Sequence, residues 1–146
     1  MRDRREALAF LQGFLFALEA ANTFTNNGSS FALDELLGSD LLAGLRQLMP
    51  TSGVASVSAE ELTDWRTELR SAAPIWFGAG IGAEGLRLIS DRLVELLVDL
   101  LATPEPTVHR VRIGFEQGAP FYEASWEDLV FSGKGGTYLL HLAVSD

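Results

Sequence analysis

Apolar side chains recur every three to four positions along the first hundred residues, which is the spacing of one face of a helix. A first helix is predicted from about Asp3 to Ala21, where leucines at positions 8, 11, 15 and 18 form the apolar stripe. The clearest helix is predicted from about Ala83 to Ala102, with a broad leucine-rich stripe and an acidic ridge on the opposite side. The N-terminal part of the chain is therefore predicted to be mainly helical.

Three shorter helices are predicted between these two. Leucines indicate one helical piece over 33–37 and a second that begins after Ser39, its predicted cap. A third helix is predicted to start at the capping-box pattern 58–61, in which a serine hydroxyl and a glutamate each bind a free backbone amide. Residues 22–30 are predicted to form a polar loop, and residues 51–57 a loop or a short extended segment.

From position 108 the apolar period changes from about 3.6 to about 2, which is typical of β-strands. Residues 108–115 alternate, residues 121–132 are rich in β-forming types, and residues 137–144 form a last strand. The glycine-rich sequence 133–136 predicts a hairpin turn. Both faces of the last strand carry apolar residues, so the sequence leaves open which face of the sheet the helices cover.

These patterns predict the fold class α+β in one domain. The N-terminal helical part, over 1–103, has four to five helices, and a small antiparallel three- to four-stranded β-sheet follows over 108–146. A length of 146 residues fits a single domain over 1–146.

Charge and cysteine content exclude several classes of protein. Acidic residues outnumber basic ones by 20 to 11, which gives a formal charge of −9, and there is no cysteine. The charge disfavours nucleic acid and anionic membrane surfaces, because both are negatively charged. Disulfides, thiolate nucleophiles and cysteine metal clusters are excluded. Polar residues interrupt the apolar stretch 7–21, so no signal peptide is predicted, and the protein is expected to be soluble and cytoplasmic.

Motifs for catalysis and cofactor binding are weak. Gly80, Gly82 and Gly85 fit the G-x-G-x-x-G spacing of dinucleotide sites, but no strand of adequate length precedes them. We interpret residues 78–85 as a connector before a helix and leave open an anion site at the start of that helix. The G-x-S-x-G and S-x-x-K patterns are absent, so no catalytic residue and no cofactor is predicted.

The two histidines, His109 and His141, are candidates for a two-histidine, one-carboxylate metal site with Glu123. His109 is in register with apolar residues of its strand, so its side chain is expected to point into the core. The H-E-x-x-H spacing of zinc sites is absent. We therefore interpret both histidines as structural and predict no metal site.

Two acidic surfaces are the predicted partner-binding features. One is a ridge along the long helix, formed by Asp91, Glu95 and Asp99 at intervals of four residues. The second gathers carboxylates around the start of the third short helix. Its members are Glu60, Glu61, Asp64 and Glu68. Such charge steers a basic partner toward its site, although a solvated helix face has the same pattern.

These features predict a non-enzymatic, acidic protein-binding module. A concrete form of this hypothesis is an immunity- or antitoxin-type protein, which occludes a basic effector such as a nuclease. It depends on charge, size and missing catalytic motifs, and thus on composition alone. A further alternative is a homo-oligomer or a structural subunit of a larger assembly, with the first helix as its contact.

A second hypothesis is a small-ligand-binding protein or a small enzyme. Its pocket is predicted to lie between the glycine-rich connector and the sheet and to measure at least about 300 Å³. The predicted lining residues are Trp76, Phe77, Arg110, Arg112, Tyr138 and His141. In the alternative interpretation, Arg110 and Arg112 pair with Glu123 and Glu127 across neighbouring strands.

Overall fold

A computed structural model describes residues 3–23, 28–78, 81–123 and 125–145 of the chain. These residues form four helices and five strands, and they confirm the predicted α+β class. In chain order the elements are α1 (Arg4–Thr23), β1 (Gly28–Glu35), α2 (Leu41–Leu48), β2 (Val54–Glu61), α3 (Trp65–Trp76), α4 (Ala83–Leu101), β3 (Thr107–Phe115), β4 (Ser125–Gly133) and β5 (Gly136–Ser145).

The five strands form one sheet in the order β1-β5-β4-β3-β2, so β1 and β2 are its edges. Every neighbouring pair is antiparallel, as predicted. One row of side chains crosses the sheet from edge to edge. From β1 to β2 it consists of Leu33, Leu140, Leu129, Arg110 and Glu60. Along this row the side chains change from apolar to charged.

Helices α1, α3 and α4 pack on one face of the sheet and form the larger core. Leu15, Leu97 and Leu140 are fully buried there, one each from α1, α4 and β5. Trp65 of α3 contacts Phe131 of β4 edge-to-face, with the ring centres 5.5 Å apart. Burial of this apolar surface is the main source of stability for the fold.

The opposite face of the sheet carries a second, smaller core under α2. Leu45 of α2 is fully buried against it, together with Val111, Val130 and Leu139 of the three central strands. Helices thus cover both faces of the sheet. This is the reason why both sides of β5 are apolar, since each side needs to be removed from water.

The sheet is larger than the predicted three to four strands, because β1 and β2 come from the part predicted as helix and loop. Phe31 and Leu33 of β1 are buried, whereas the residues between and beside them are half-buried. This alternation extends over only a few residues, and leucines at 33, 36 and 37 fit a helix equally well. Pairing with β5 along the whole of β1 selects the strand.

The capping-box interpretation of residues 58–61 is wrong, because these residues end β2, which pairs with β3. The helix that follows is capped by Asp64, whose carboxylate accepts from the Thr67 amide at 3.4 Å. Likewise, the cap of α2 is Asp40 and not Ser39. Its carboxylate accepts from the Ala43 amide at 2.8 Å. Both helices were predicted, but the capping residue of α2 is Asp40, next to the predicted Ser39, and that of α3 lies six residues after the predicted Ser58.

The predicted hairpin turn is confirmed and has a second role. The Gly135 amide donates to the carbonyl of Leu101 at 2.8 Å, so the turn binds the last residue of α4. A Cβ at Gly135 would overlap the carbonyl oxygen of Leu100. Glycine is needed here because the strand turn and the end of α4 lie so close together. Within the described ranges, no helix combines the length and the apolarity needed to cross a membrane.

Candidate functional site

The free edge of β2 lies open to solvent. Six of its eight residues are exposed, and only Val54 is buried. β2 pairs with β3 on one side and with no described strand on the other. A strand in this position presents backbone N–H and C=O groups that the sheet does not use, and such a row pairs readily with a further strand.

Arg46 of α2 occupies the beginning of this edge. Its Nε lies 3.1 Å from the carbonyl oxygen of Val54, and a terminal guanidinium nitrogen lies 3.2 Å from that of Ala55. Both bonds satisfy carbonyl groups at the start of β2. The part of the edge that these bonds do not cover runs from Ser56 to Glu61.

The other edge of the sheet is closed by α1. The side chain of Gln12 donates to the carbonyl of Leu33 at 2.9 Å, and the carboxylate of Glu19 accepts from the Phe31 amide at 2.9 Å. Side chains of α1 therefore bind backbone groups of β1 that a further strand would need. Of the two edges, only that of β2 is available for pairing.

The predicted acidic surface around α3 lies at the end of the open edge. Glu60 and Glu61 are exposed and form no ion pair with any residue that the structure describes. Asp64 uses its carboxylate as the cap of α3. Glu68 lies 3.0 Å from the guanidinium of Arg110. Two of the four carboxylates, those of Glu60 and Glu61 on β2, thus have no hydrogen-bond or ion-pair partner among the described residues.

The predicted acidic ridge along α4 is largely compensated by arginines. The two carboxylate oxygens of Asp91 lie 3.2 Å from the guanidinium groups of Arg70 and Arg87, respectively. Glu95 pairs with Arg92 at 3.2 Å, and Asp99 is half-buried. The acidic residues are visible in the sequence, but the pair of Asp91 with Arg70 joins two helices and does not follow from local sequence. The α4 face is therefore mixed in charge.

Three of the six predicted pocket residues meet in one groove. Trp76, Arg110 and Arg112 line a cavity of about 700 Å³ between β3 and β4, together with Trp126 and Glu127. This volume is within the range of about 300–1,000 Å³ that is typical of small-molecule sites. The groove is near the C-terminal end of α3, close to the position predicted for the pocket.

Arg110 and Trp76 are already bound to a common carboxylate. Glu127 Oε1 accepts from the guanidinium of Arg110 at 3.1 Å, and Glu127 Oε2 accepts from the Trp76 indole at 3.1 Å. Burial lowers the pKa of Arg110, but hydrogen bonds to Glu68 and Glu127 outweigh it and raise the pKa overall. The predicted cross-strand pair between Arg110 and Glu127 is present, so this arginine is a fixed, charged part of the groove.

The other three predicted pocket residues lie elsewhere. Phe77 is buried in the larger core, where it contacts Phe31 edge-to-face at 5.1 Å between ring centres. Tyr138 is fully buried, and its hydroxyl donates to the carbonyl of Gly135 at 3.0 Å. His141 lies on the opposite face of the sheet. These three residues therefore do not line the groove with Trp76, Arg110 and Arg112, because local sequence does not distinguish a position in a core from one in a groove.

His141 is the centre of a polar cluster between β4, β5 and the loop before β4. Its Nδ1 lies 2.5 Å from Asp128 Oδ1, and its Nε2 lies 3.4 Å from Glu123 Oε1. The Tyr122 hydroxyl donates to the same Asp128 carboxylate at 3.1 Å. Asp128 is only 1% exposed, so this carboxylate is held entirely by neighbouring side chains.

The two carboxylates beside His141 influence its charge more than its burial does. Burial lowers the pKa of His141, but the hydrogen bonds and charges of Asp128 and Glu123 outweigh it and raise the pKa above the usual value. Burial, and next the charge of Asp128, raise the pKa of the Tyr122 hydroxyl. The imidazolium form of His141 donates to both carboxylates. His141 and Glu123 lie close together, and they form an ion pair when the imidazole is protonated.

A second cavity of about 400 Å³ lies between the start of α2 and the sheet. Leu36, Leu41 and Val130 contribute apolar walls, and His109 borders it. His109 is half-buried at this rim, whereas it was expected to point into the core. The sequence held no signal for this cavity, because it depends on where α2 crosses the sheet.

Metal and nucleotide chemistry gain no support from the described residues. Within them, no group of three or more histidine and carboxylate side chains could hold a metal ion. The G-x-G-x-x-G pattern follows a helix and not a strand, since α3 extends to Trp76. Gly80 of this pattern lies outside the described residues, and Gly82 caps α4 without a side-chain hydrogen bond. Comparison of the chain with protein-family models, with curated proteins and with solved structures found no match.

Proposed function

We propose that this protein is a non-enzymatic protein-binding module that pairs with an extended, basic segment of a partner along the open edge of β2. The observation that supports this proposal best is the contrast between the two edges of the sheet. α1 closes the β1 edge through Gln12 and Glu19, whereas Arg46 covers only the first two carbonyls of β2. Addition of a strand to a free sheet edge is a common mode of peptide recognition.

Charge defines the chemistry of the partner. Glu60 and Glu61 are exposed at the end of the open edge, and the protein as a whole carries a formal charge of −9. Backbone pairing supplies affinity that is independent of sequence, and side-chain charges select among segments. A partner strand with lysine or arginine opposite these glutamates fits the edge. Occlusion of a basic effector is the specific form of the proposal.

The experiment compares three immobilised baits in a lysate of the cells that make the protein. They are the wild type, Glu60→Lys/Glu61→Lys on β2, and Glu84→Lys/Glu95→Lys on α4. Each Glu→Lys change adds two charges, so both double variants carry −5 instead of −9. The pair therefore separates the position of the charge from its amount.

The proposal requires a stoichiometric basic protein that the wild type and the α4 variant capture and the β2 variant loses. Hydrogen exchange of the purified complex then locates the contact. The amides of Val57, Ala59 and Glu61, which point away from β3, are expected to become protected. Equal capture by all three baits, or loss with the α4 variant alone, contradicts the proposal. Capture of an acidic protein would contradict the basic-effector form.

A further inference from the structure

The groove between β3 and β4 exists because the two strands diverge. Their pairing ends at Val111 opposite Asp128. Beyond that point β3 continues to pair with β2 as far as Phe115, and β4 pairs with β5 from Ser125 onward. Residues 112–115 and 125–127 therefore each have a partner strand on one side only. Between them lies a narrow opening, bordered by two strand edges.

Arg112 is the available cation of this groove. It is exposed, and it forms no hydrogen bond or ion pair with any residue that the structure describes. Arg110, in contrast, is bound to Glu68 and Glu127. A guanidinium donates two parallel hydrogen bonds to a carboxylate, and no described residue provides the acceptor oxygens for Arg112.

An aromatic side chain of the groove, that of Trp126, is also partly exposed to solvent. Trp126 is 40% exposed, and its ring rests edge-to-face on Tyr122, with the ring centres 5.4 Å apart. Adjacent residues of a strand point to opposite faces. Trp126 therefore borders the groove from the face opposite Glu127. Trp126 and Arg112 are both lining residues of the groove.

We propose that this groove is a binding site for a small aromatic monocarboxylate. The groove, at about 700 Å³, is large enough for a small aromatic molecule, and Trp126, whose indole is 40% exposed, contributes an apolar surface to its lining. One free guanidinium, that of Arg112, matches one carboxylate. The overall charge of −9 repels phosphates and other polyanions more strongly than a single carboxylate, because the repulsion is proportional to the charge of the ligand.

The roles of the lining groups follow from this assignment. Arg112 donates to both carboxylate oxygens of the ligand, and the Ser125 hydroxyl is a second donor at the rim. Glu127 holds Arg110 and Trp76 in place, so these residues form a rigid wall. This site is separate from the free edge of β2, because β3 lies between them.

The test uses three probes on the purified protein: 2-naphthoate, its neutral amide 2-naphthamide, and inorganic phosphate. Binding is followed by changes of backbone amide signals in two-dimensional NMR spectra. We expect 2-naphthoate at up to millimolar concentration to shift signals of residues 112–115 and 125–127. We expect the affinity for the amide to be at least about tenfold lower, because the amide cannot form the charge-assisted hydrogen bonds.

Variants assign the interaction to its residues. Arg112→Gln is expected to weaken 2-naphthoate binding about tenfold or more, and Arg112→Lys to keep part of it, because lysine retains the charge and loses the planar pair of donors. Arg92→Gln on α4 is the matched control and is expected to bind as the wild type does. Trp126→Ala, read in the same titration, is expected to weaken binding of both naphthalene compounds.

Several outcomes would overturn the assignment. The first is that 2-naphthoate does not bind at millimolar concentration. The second is that the amide or phosphate binds with the same affinity as 2-naphthoate. The third is that 2-naphthoate shifts only signals of residues outside the groove. Unchanged affinity of a folded Arg112→Gln variant would also overturn it. The Glu60→Lys/Glu61→Lys variant is expected to bind 2-naphthoate with wild-type affinity. The test of this site is therefore independent of the test of the partner-binding edge.

Discussion

β1 and β2 are the two edges of the same sheet, but α1 lies along β1, whereas β2 is exposed over six of its eight residues. Two side chains of β1, those of Phe31 and Leu33, are buried in the larger core. β2 contributes only Val54 to the buried residues. One edge is thus part of the core, and the other is attached to the fold mainly through its pairing with β3.

This difference shows which features leave an edge strand free to pair with a further strand. A strand that contributes side chains to the core is held in place by their burial. Side chains of an adjacent helix can then form hydrogen bonds with the free backbone groups of that strand. A strand of small and charged residues, such as 55–61, has little apolar surface to cover. Its two terminal glutamates, Glu60 and Glu61, restrict which strands can join it.

The largest expected effect is on the covered edge. Leu15→Ala is expected to lower the free energy of unfolding by about 2–5 kcal/mol, because Leu15 is fully buried between α1 and the sheet. Val57→Ala in β2 is expected to cost about 1 kcal/mol, since Val57 is only half-buried. Urea unfolding of both variants measures the contrast, and equal losses would contradict it.

The hydrogen bonds at the two edges should also differ in their contribution to the free energy of unfolding. Glu19→Ala removes the acceptor of the buried Phe31 amide, with an expected loss of about 1–3 kcal/mol. Glu19→Gln keeps an acceptor oxygen and should recover most of that stability. Arg46→Ala at β2 is expected to cost less than about 1 kcal/mol, because water replaces an exposed donor. A larger loss for Arg46→Ala than for Glu19→Ala would reverse the comparison.

A pH effect is expected on the β1 side of the sheet, where β5 carries His141. Its pKa is raised above the ordinary 6.5, so the folded protein holds a proton that the unfolded chain releases. The resulting stabilisation is fully present below pH 6.5 and is lost as the pH rises through the higher folded value. Unfolding of the wild type and of His141→Gln across this range measures it.

The wild type is expected to lose stability relative to His141→Gln as the pH increases. His109→Gln is the control, and it should retain this decrease because His141 is intact. A stability difference between wild type and His141→Gln that stays constant with pH would contradict the assignment of a protonated imidazole between Asp128 and Glu123.

The smallest effect on stability is expected at the open edge itself. Glu60→Lys/Glu61→Lys should lower the free energy of unfolding by only about 0.5 kcal/mol. Both side chains are exposed and form no ion pair with described residues, and the main cost is that a lysine at position 60 would lie opposite Arg110 of β3. Urea unfolding checks this. A much larger loss would mean that these residues stabilise the fold, and any loss of partner capture would then need a different explanation.

The helices and the three C-terminal strands could be predicted, whereas the two edge strands could not. α1, α4 and the hairpin of β4 and β5 have stripes of many residues or a distinctive turn, so local sequence determined them. β1 and β2 each have eight residues with ambiguous patterns. Their conformation depends on ladders with β5 and β3, which are distant in sequence.

The candidate sites divide in the same way. The acidic residues and the pair of Arg110 with Glu127 could be predicted, because charge is visible in the sequence and a cross-strand pair follows from two adjacent strands. The neutralisation of Asp91 by Arg70 could not, since it requires α3 and α4 to pack together. The divergence of β3 and β4, which frees Arg112, left no signal in the sequence.

The sequence by itself determined the α+β class, the positions of the long elements, the lack of cysteine chemistry and the negative charge. These properties depend on local periodicity and on residue counts. Tertiary structure alone decided that helices cover both faces of the sheet and that α1 closes the β1 edge. It also left the β2 edge free. These outcomes depend on which distant segments lie side by side, and local side-chain patterns are compatible with more than one such arrangement.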